Sequence, residues 1–355
     1  MRSLVVEVLS AVPEIAVVGE AGDGLQAVRE ARRLEPDIVT MDVRMPNMDG
    51  IEAIRRIMQE RPCRIIVVTG VKDERDGGDL SLRAIEAGAL ELVAKPASGP
   101  EEIERFARRL TTSVRLMAAV PVVRRRAMAP GDTTPTAPVA VPCPTNDDAG
   151  RVSSRRPIVI ARAADRRVDV VAIAASTGGP PALATILGGL PQSFPAPLLV
   201  AQHMAPGFGE GLVRWLASVS PLDVRVATSG QHAVAGCVYL PPDRHHLEID
   251  PGGVLRVEPA TGGHCPSADR LFSSVARAYR DRAAAIVLTG MGEDGARGLI
   301  AVARAGGVTW AQDEESSIVY GMPRAAIVHG GATTIVSLSQ IAEAIVGLVA
   351  QPHAP

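Results

Sequence analysis

Val168-Asp169-Val170-Val171-Ala172-Ile173-Ala174-Ala175-Ser176-Thr177-Gly178-Gly179-Pro180 is the stretch on which the fold of this chain turns. An apolar, β-branched run stops at a turn of small residues, and prolines then open a helical pattern over 180–190. A strand feeding a helix through so tight a turn predicts a parallel sheet with crossover helices. Ser176 then stands at the carboxyl edge of that sheet. The glycines allow close backbone approach, and the helix start offers free N–H groups and a positive dipole end. That suits a nucleophile with an oxyanion site beside it. It equally suits a helix-capping serine or a phosphate-binding turn, and the turn alone leaves these readings open.

Working outward, the same alternation continues to about residue 350. Strands are expected at 197–202, 222–227, 237–240, 284–289 and 308–311, and helices at 209–219, 267–280 and 295–305. A hairpin is expected at 246–257 around Asp250-Pro251-Gly252-Gly253. The first zone of the chain, residues 1–98, alternates in the same way, with strands expected at 15–19, 37–41, 64–69 and 90–94 and helices between them. A charged helix over 101–117 follows. The stretch to 167 is rich in Pro, Ala, Arg, Ser and Thr without a sustained period and reads as a linker. Its Arg124-Arg125-Arg126 run reads as a solvated basic patch. The expected domains are 1–98, a helix and linker over 99–167, and 168–350, each of the two main units an α/β fold.

Composition narrows the functions. Net charge is -2 and aromatics are 3%, so neither a basic footprint nor stacking platforms for nucleic acid are present. No apolar run approaches the ~20 residues of a membrane span, and the start lacks the plan of a signal peptide. Cys63, Cys143, Cys237 and Cys265 show no metal or redox spacing, which predicts a reducing, cytoplasmic setting. The basic residues are almost all arginine, with Lys72 and Lys95 the two lysines. A lysine kept against that bias marks a place where a compact ammonium is needed.

Two further strand ends join Ser176. His203 follows the 197–202 strand, and Asp294 follows the 284–289 strand. A serine, a histidine and an aspartate at three carboxyl ends of one sheet can converge, the histidine taking the serine proton and the aspartate fixing the imidazole tautomer. A dinucleotide site ranks lower, because the second strand ends in His203 and not in an acidic ribose contact.

Four blocks in order carry a resemblance: Ala175-Ser176-Thr177-Gly178-Gly179, then Gln202-His203-Met204-Ala205-Pro206-Gly207-Phe208, then Leu288-Thr289-Gly290-Met291-Gly292-Glu293-Asp294-Gly295, then Gln312-Asp313-Glu314 through Ser316-Ser317, Tyr320-Gly321 and Met322-Pro323. Together they resemble the chemotaxis protein-glutamate methylesterases across the whole of residues 168–350. The resemblance implies a triad of Ser176, His203 and Asp294, with Thr177 and Met291 beside the serine and the oxyanion and His264 lining the pocket. It implies hydrolysis of glutamyl methyl esters on chemoreceptors, release of ammonia from glutamines by the same site, and no cofactor for hydrolysis. Ala174 stands where that family has glycine, and Cys265 where it has arginine. A scaffold that keeps a vestigial esterase domain is the alternative from another class.

The first zone resembles a response-regulator receiver. Asp42, in Met41-Asp42-Val43-Arg44-Met45-Pro46, matches the phospho-acceptor, Thr69 the switch threonine and Lys95 the phosphate-contacting lysine. A histidine kinase is the implied phosphodonor and Mg²⁺ the implied cofactor. Residues 1–10 read as a helix, with no preceding strand that ends in an acidic pair. The expectation is a receiver short of its central strand and of two Mg²⁺ carboxylates, with Leu92 where an aromatic switch residue often sits.

Overall fold

The computed structural model describes residues 1–70, 77–118 and 168–349. The segment from 119 to 167, with Arg124-Arg125-Arg126, and Lys72 lie outside the described residues. The first zone contains α1 (Arg2–Ser10), α2 (Gly24–Leu34), β1 (Ile38–Met41), α3 (Gly50–Glu60), β2 (Arg64–Thr69), α4 (Gly77–Glu86), β3 (Glu91–Ala94) and α5 (Pro100–Ala118). Two of its helices, α2 and α3, start where the sequence supplies side-chain caps. Asp23 accepts from the Gln26 amide, and Asp49 from the Glu52 amide. The three strands pair in parallel in the order β1-β2-β3. Residues 15–19, expected as a strand, belong to no helix or strand and pair with no strand among the described residues. The physical reason is pairing, since an apolar extended segment becomes a strand only against a partner edge.

The second zone contains β4 (Val170–Ala175), α6 (Gly179–Gly188), β5 (Leu198–Gln202), α7 (Gly209–Val219), β6 (Asp223–Val226), β7 (Cys237–Leu240), β8 (His245–Ile249), β9 (Leu255–Pro259), α8 (Ala268–Tyr279), β10 (Ala283–Val287), α9 (Ala296–Arg304), β11 (Val308–Gln312), α10 (Met322–Val328), β12 (Thr334–Val336) and α11 (Leu338–Val349). Seven strands form a parallel sheet in the order β12-β11-β10-β4-β5-β7-β6, and β8-β9 form the antiparallel hairpin. Every residue of β4 is buried, as a central strand with helices on both faces requires. Its odd-numbered side chains enter one apolar cluster with α6, α7 and α11, and its even-numbered ones another with α8 and α9. The chain order reverses on either side of β4, so the crevice lies at the carboxyl ends of β4, β5 and β10.

The two zones are packed on each other. Leu82 of α4 is 1% exposed and belongs to the apolar cluster of α6 and α7. Phe208, 1% exposed, inserts the other way, among Met48, Ile51 and Ile85 of the first zone. Val93, Phe106 and Leu110 meet Met291, Ile318 and Val319. Removing a side chain as buried as Leu82 costs about 2–5 kcal/mol, so this contact is a defined interface. No helix among the described residues is long and apolar enough to cross a membrane.

Candidate active site

Ser176 follows the last residue of β4, and its amide donates to the carbonyl of Thr289 at 3.0 Å. That bond ties the serine turn to the loop after β10. On the other side the His203 amide donates to the Ala175 carbonyl at 2.9 Å, which sets the histidine at the adjacent strand end. Gly178 caps α6 with φ +77, and a Cβ there would fall 2.7 Å from Ile318, so glycine is required for both reasons. A Cβ on Gly290 would stand 2.7 Å from the Ser176 Cβ, so the two loops touch through a residue without a side chain.

His203 Nε2 lies 2.9 Å from Asp294 Oδ2. The pair is nearly dry, its side chains 9% and 5% exposed. With Nε2–H donated to the carboxylate, Nδ1 carries the free lone pair. Asp294 is held from behind by the start of α8, where the Ala268 amide donates to Oδ2 at 2.7 Å and the Asp269 amide to Oδ1 at 3.1 Å, joined by the Ser267 hydroxyl. Burial pushes the Asp294 carboxyl up, but the His203 bond and these two amides outweigh it and bring the group down to about 2. The arrangement is reciprocal. Asp269, in the first turn of α8, accepts from the amides of Gly295 and Gly298 at the start of α9. Asp294 thus caps the helix that carries Asp269, and Asp269 caps the helix that follows Asp294.

Residues that sequence reasoning left without a role complete this frame. The His246 side chain, buried and lowered by that burial, accepts the Ser267 amide on Nδ1 at 3.0 Å. Gln312 accepts the Thr289 amide at 2.8 Å and donates to Ser316, while the Thr289 hydroxyl donates to the Thr177 carbonyl at 2.9 Å. The block from Gln312 to Pro323 therefore shapes the loop over 289–291.

His264 stacks on His203, ring centroids 5.2 Å apart and planes within 13°. Ser176, His203, His264 and Met291 share a cleft of about 360 Å³. Its far wall is the first zone, with Lys95, Pro96, Arg105 and Arg109. Thr177, 4% exposed, lies beside the serine at the turn. No hydrogen bond links the Ser176 hydroxyl to either histidine among the described residues. Such bonds are often long before substrate binds.

At the other site, Asp42 follows β1, and Lys95 follows β3, where its ammonium pairs with the Asp42 carboxylate. The Arg44 amide donates to Asp42 Oδ1 at 3.2 Å. Thr69 ends β2 and is buried.

Residues 171–345 match the family model for the CheB methylesterase, and residues 1–107 that for the response regulator receiver domain. The chain is 48% identical over 328 residues to protein-glutamate methylesterase/protein-glutamine glutaminase 3 of Myxococcus xanthus, covering 92% of this chain and 84% of that protein. It belongs to the protein-glutamate methylesterase/protein-glutamine glutaminase family. The relative numbered 4 from the same organism is 46% identical over 96% of this chain and 92% of its own length. The methylesterase/glutaminase of Nitrosospira multiformis is 40% identical over 99% and 94%.

For a methylesterase with a receiver, Mg²⁺ at the phospho-acceptor is implied. Among the described residues no group of three His, Cys, Asp or Glu side chains could hold a metal. Mg²⁺ demands near-octahedral oxygen ligation, and the carboxylate at Asp42 faces an ammonium. The described residues offer the ion no such set of three side chains, and no step below is routed through it.

Proposed function

We propose that this chain hydrolyses glutamyl methyl esters on chemoreceptors, and deamidates glutamines there, with Ser176 as nucleophile, His203 as general base and Asp294 as its orienting carboxylate. The observation that carries this is the buried 2.9 Å His203–Asp294 bond in the same cleft as Ser176. His203 Nδ1 accepts the Ser176 proton as Oγ attacks the γ-carbonyl. The oxyanion lies toward the amides of Thr177 and Met291, which no hydrogen bond among the described residues occupies. The imidazolium then gives its proton to the departing methoxide, and methanol leaves. Water, deprotonated by the same imidazole, resolves the acyl-serine to glutamate and free serine. A glutamine side chain follows the same path and releases ammonia. Either route leaves a carboxylate on the receptor. Asp294, at about 2, remains ionised throughout and only steers the ring.

The first zone serves as a regulatory receiver on this reading. Its Lys95, the partner of Asp42, lines the cleft that holds Ser176. Phosphotransfer from a chemotaxis histidine kinase to Asp42 would first have to break the Asp42–Lys95 pair, so little phosphate on Asp42 is expected in this chain, and Thr69 is its switch position. A scaffold role would have no use for the buried triad geometry. Stoichiometric labelling by a fluorophosphonate tests the assignment. The adduct should map to Ser176, and a label on any other residue would remove the nucleophile from this account.

A further inference from the structure

Gln202, the last residue of β5, is 4% exposed and makes two bonds that no other side chain of the site could replace. Its Nε2 donates to the Ser176 carbonyl at 2.8 Å and to the His203 carbonyl at 2.9 Å. Two carbonyls at that distance need a donor with two hydrogens, which fixes which end of the amide faces them. The opposite atom, Oε1, is buried with no hydrogen-bond partner among the described residues. It rests against Gly179, where an added Cβ would come within 2.0 Å of it. An apolar side chain of the same length would fill this place without burying an orphan oxygen. The amide is therefore kept for what its nitrogen holds.

What it holds bears on the oxyanion. The Ser176–Thr177 peptide is trans, because the cis bond among the described residues is that between Cys265 and Pro266. In a trans peptide the carbonyl and the next N–H point in opposite directions. The Ser176 carbonyl is pinned twice, by Gln202 and by the Gly179 amide at 2.8 Å. Pinning it from inside the sheet forces the Thr177 N–H outward, away from Gln202. The same nitrogen pins the His203 carbonyl and so fixes the backbone that carries the base. We propose that Gln202 is a positioning residue that presets the Thr177 amide as an oxyanion donor and holds it in register with His203. This rests on the esterase reading above and deepens it. Gln202 itself touches no reacting atom.

The full chain is tested with butylboronic acid, whose boron takes the Ser176 oxygen to give a tetrahedral anion. In the wild type the Thr177 amide proton resonance should move downfield on binding. In Gln202→Met, which has no donor, and Gln202→Glu, which replaces it by an acceptor, kcat for methanol release should fall on the order of 10²-fold. Boronate affinity should weaken by the same factor, with KM nearly unchanged, because only transition-state binding is lost. A merely structural role would move none of these together. An adduct on Ser176 that leaves the Thr177 resonance unmoved overturns the inference, whether or not the variants fold. So does a folded variant with kcat within about twofold of wild type. Failure of the boronate to bond to Ser176 at all overturns the esterase reading, and the inference with it.

Discussion

The loops above β4, β5 and β10 and the loops above β1, β2 and β3 both carry functional side chains at parallel strand ends, yet they are supported very differently. Over the large sheet each group of the proposed triad is held from behind. Asp294 sits on the amides that open α8, the Ser176 and His203 carbonyls on Gln202, and the 289–291 loop on Gln312. Over the small sheet Asp42 has Lys95 and the Arg44 amide, and among the described residues no group of three His, Cys, Asp or Glu side chains could hold a metal. The seven strands of the first case bring several chain segments to one place, whereas three paired strands bring few. A site at a sheet edge is as complete as the set of strands beneath it. Lys95, the partner of Asp42, nevertheless lines the cleft that holds Ser176, so the two sites are joined through one side chain.

The sharpest way to break this contrast is to damage the supported site. His203→Ala should lower methanol release by on the order of 10⁴-fold, because triad members act as a unit. His264→Ala should be mild, since His264 stacks on the base without bonding to Asp294. If His264→Ala were the more severe, the roles of the two histidines would be exchanged.

Asp294→Asn should slow turnover by about 10³- to 10⁴-fold through the wrong imidazole tautomer. It should also change acid stability. The Asp294 carboxyl is depressed in the folded protein from 3.8 to about 2. Its contribution is therefore full above the ordinary carboxylate pKa and is lost as pH falls from about 4 to 2. The size is about 2 kcal/mol, since a tenfold change in proton affinity is worth about 1.4 kcal/mol. Denaturant unfolding of wild type and variant at pH 5 and pH 2.5 should show that difference shrinking on acidification. A constant difference would mean that the charge of Asp294 does not stabilise the fold.

The catalytic sheet was legible because buried parallel strands read as short apolar runs and each ended in a chemically distinct residue, Ser176, His203 or Asp294. The framing residues were harder to see. Asp269 and Gln202 look like an ordinary helix start and an ordinary strand end, and their targets lie 25 and 26 residues away. Residues 15–19 misled for the opposite reason. Val17 and Val18 have strand character, but pairing is a property of the neighbour, and both are exposed. The β12 and α11 elements carried no motif and went unread.

The smallest effect is expected at the weaker site. Acetyl phosphate with Mg²⁺ should leave the activity of this 355-residue chain unchanged, because Asp42 is held by Lys95 and no group of three metal-binding side chains stands among the described residues to hold the ion that neutralises the transferring phosphoryl group. A phosphate on Asp42 by intact mass, together with raised activity, would show that one carboxylate and Lys95 suffice.

Methanol release from methylated chemoreceptor membranes, measured for the wild type and Ser176→Ala, tests the central claim most directly. The wild type should release methanol, and the variant, folded and with unchanged unfolding, should be slower by on the order of 10⁴-fold or more. A variant within tenfold of the wild type would contradict the account.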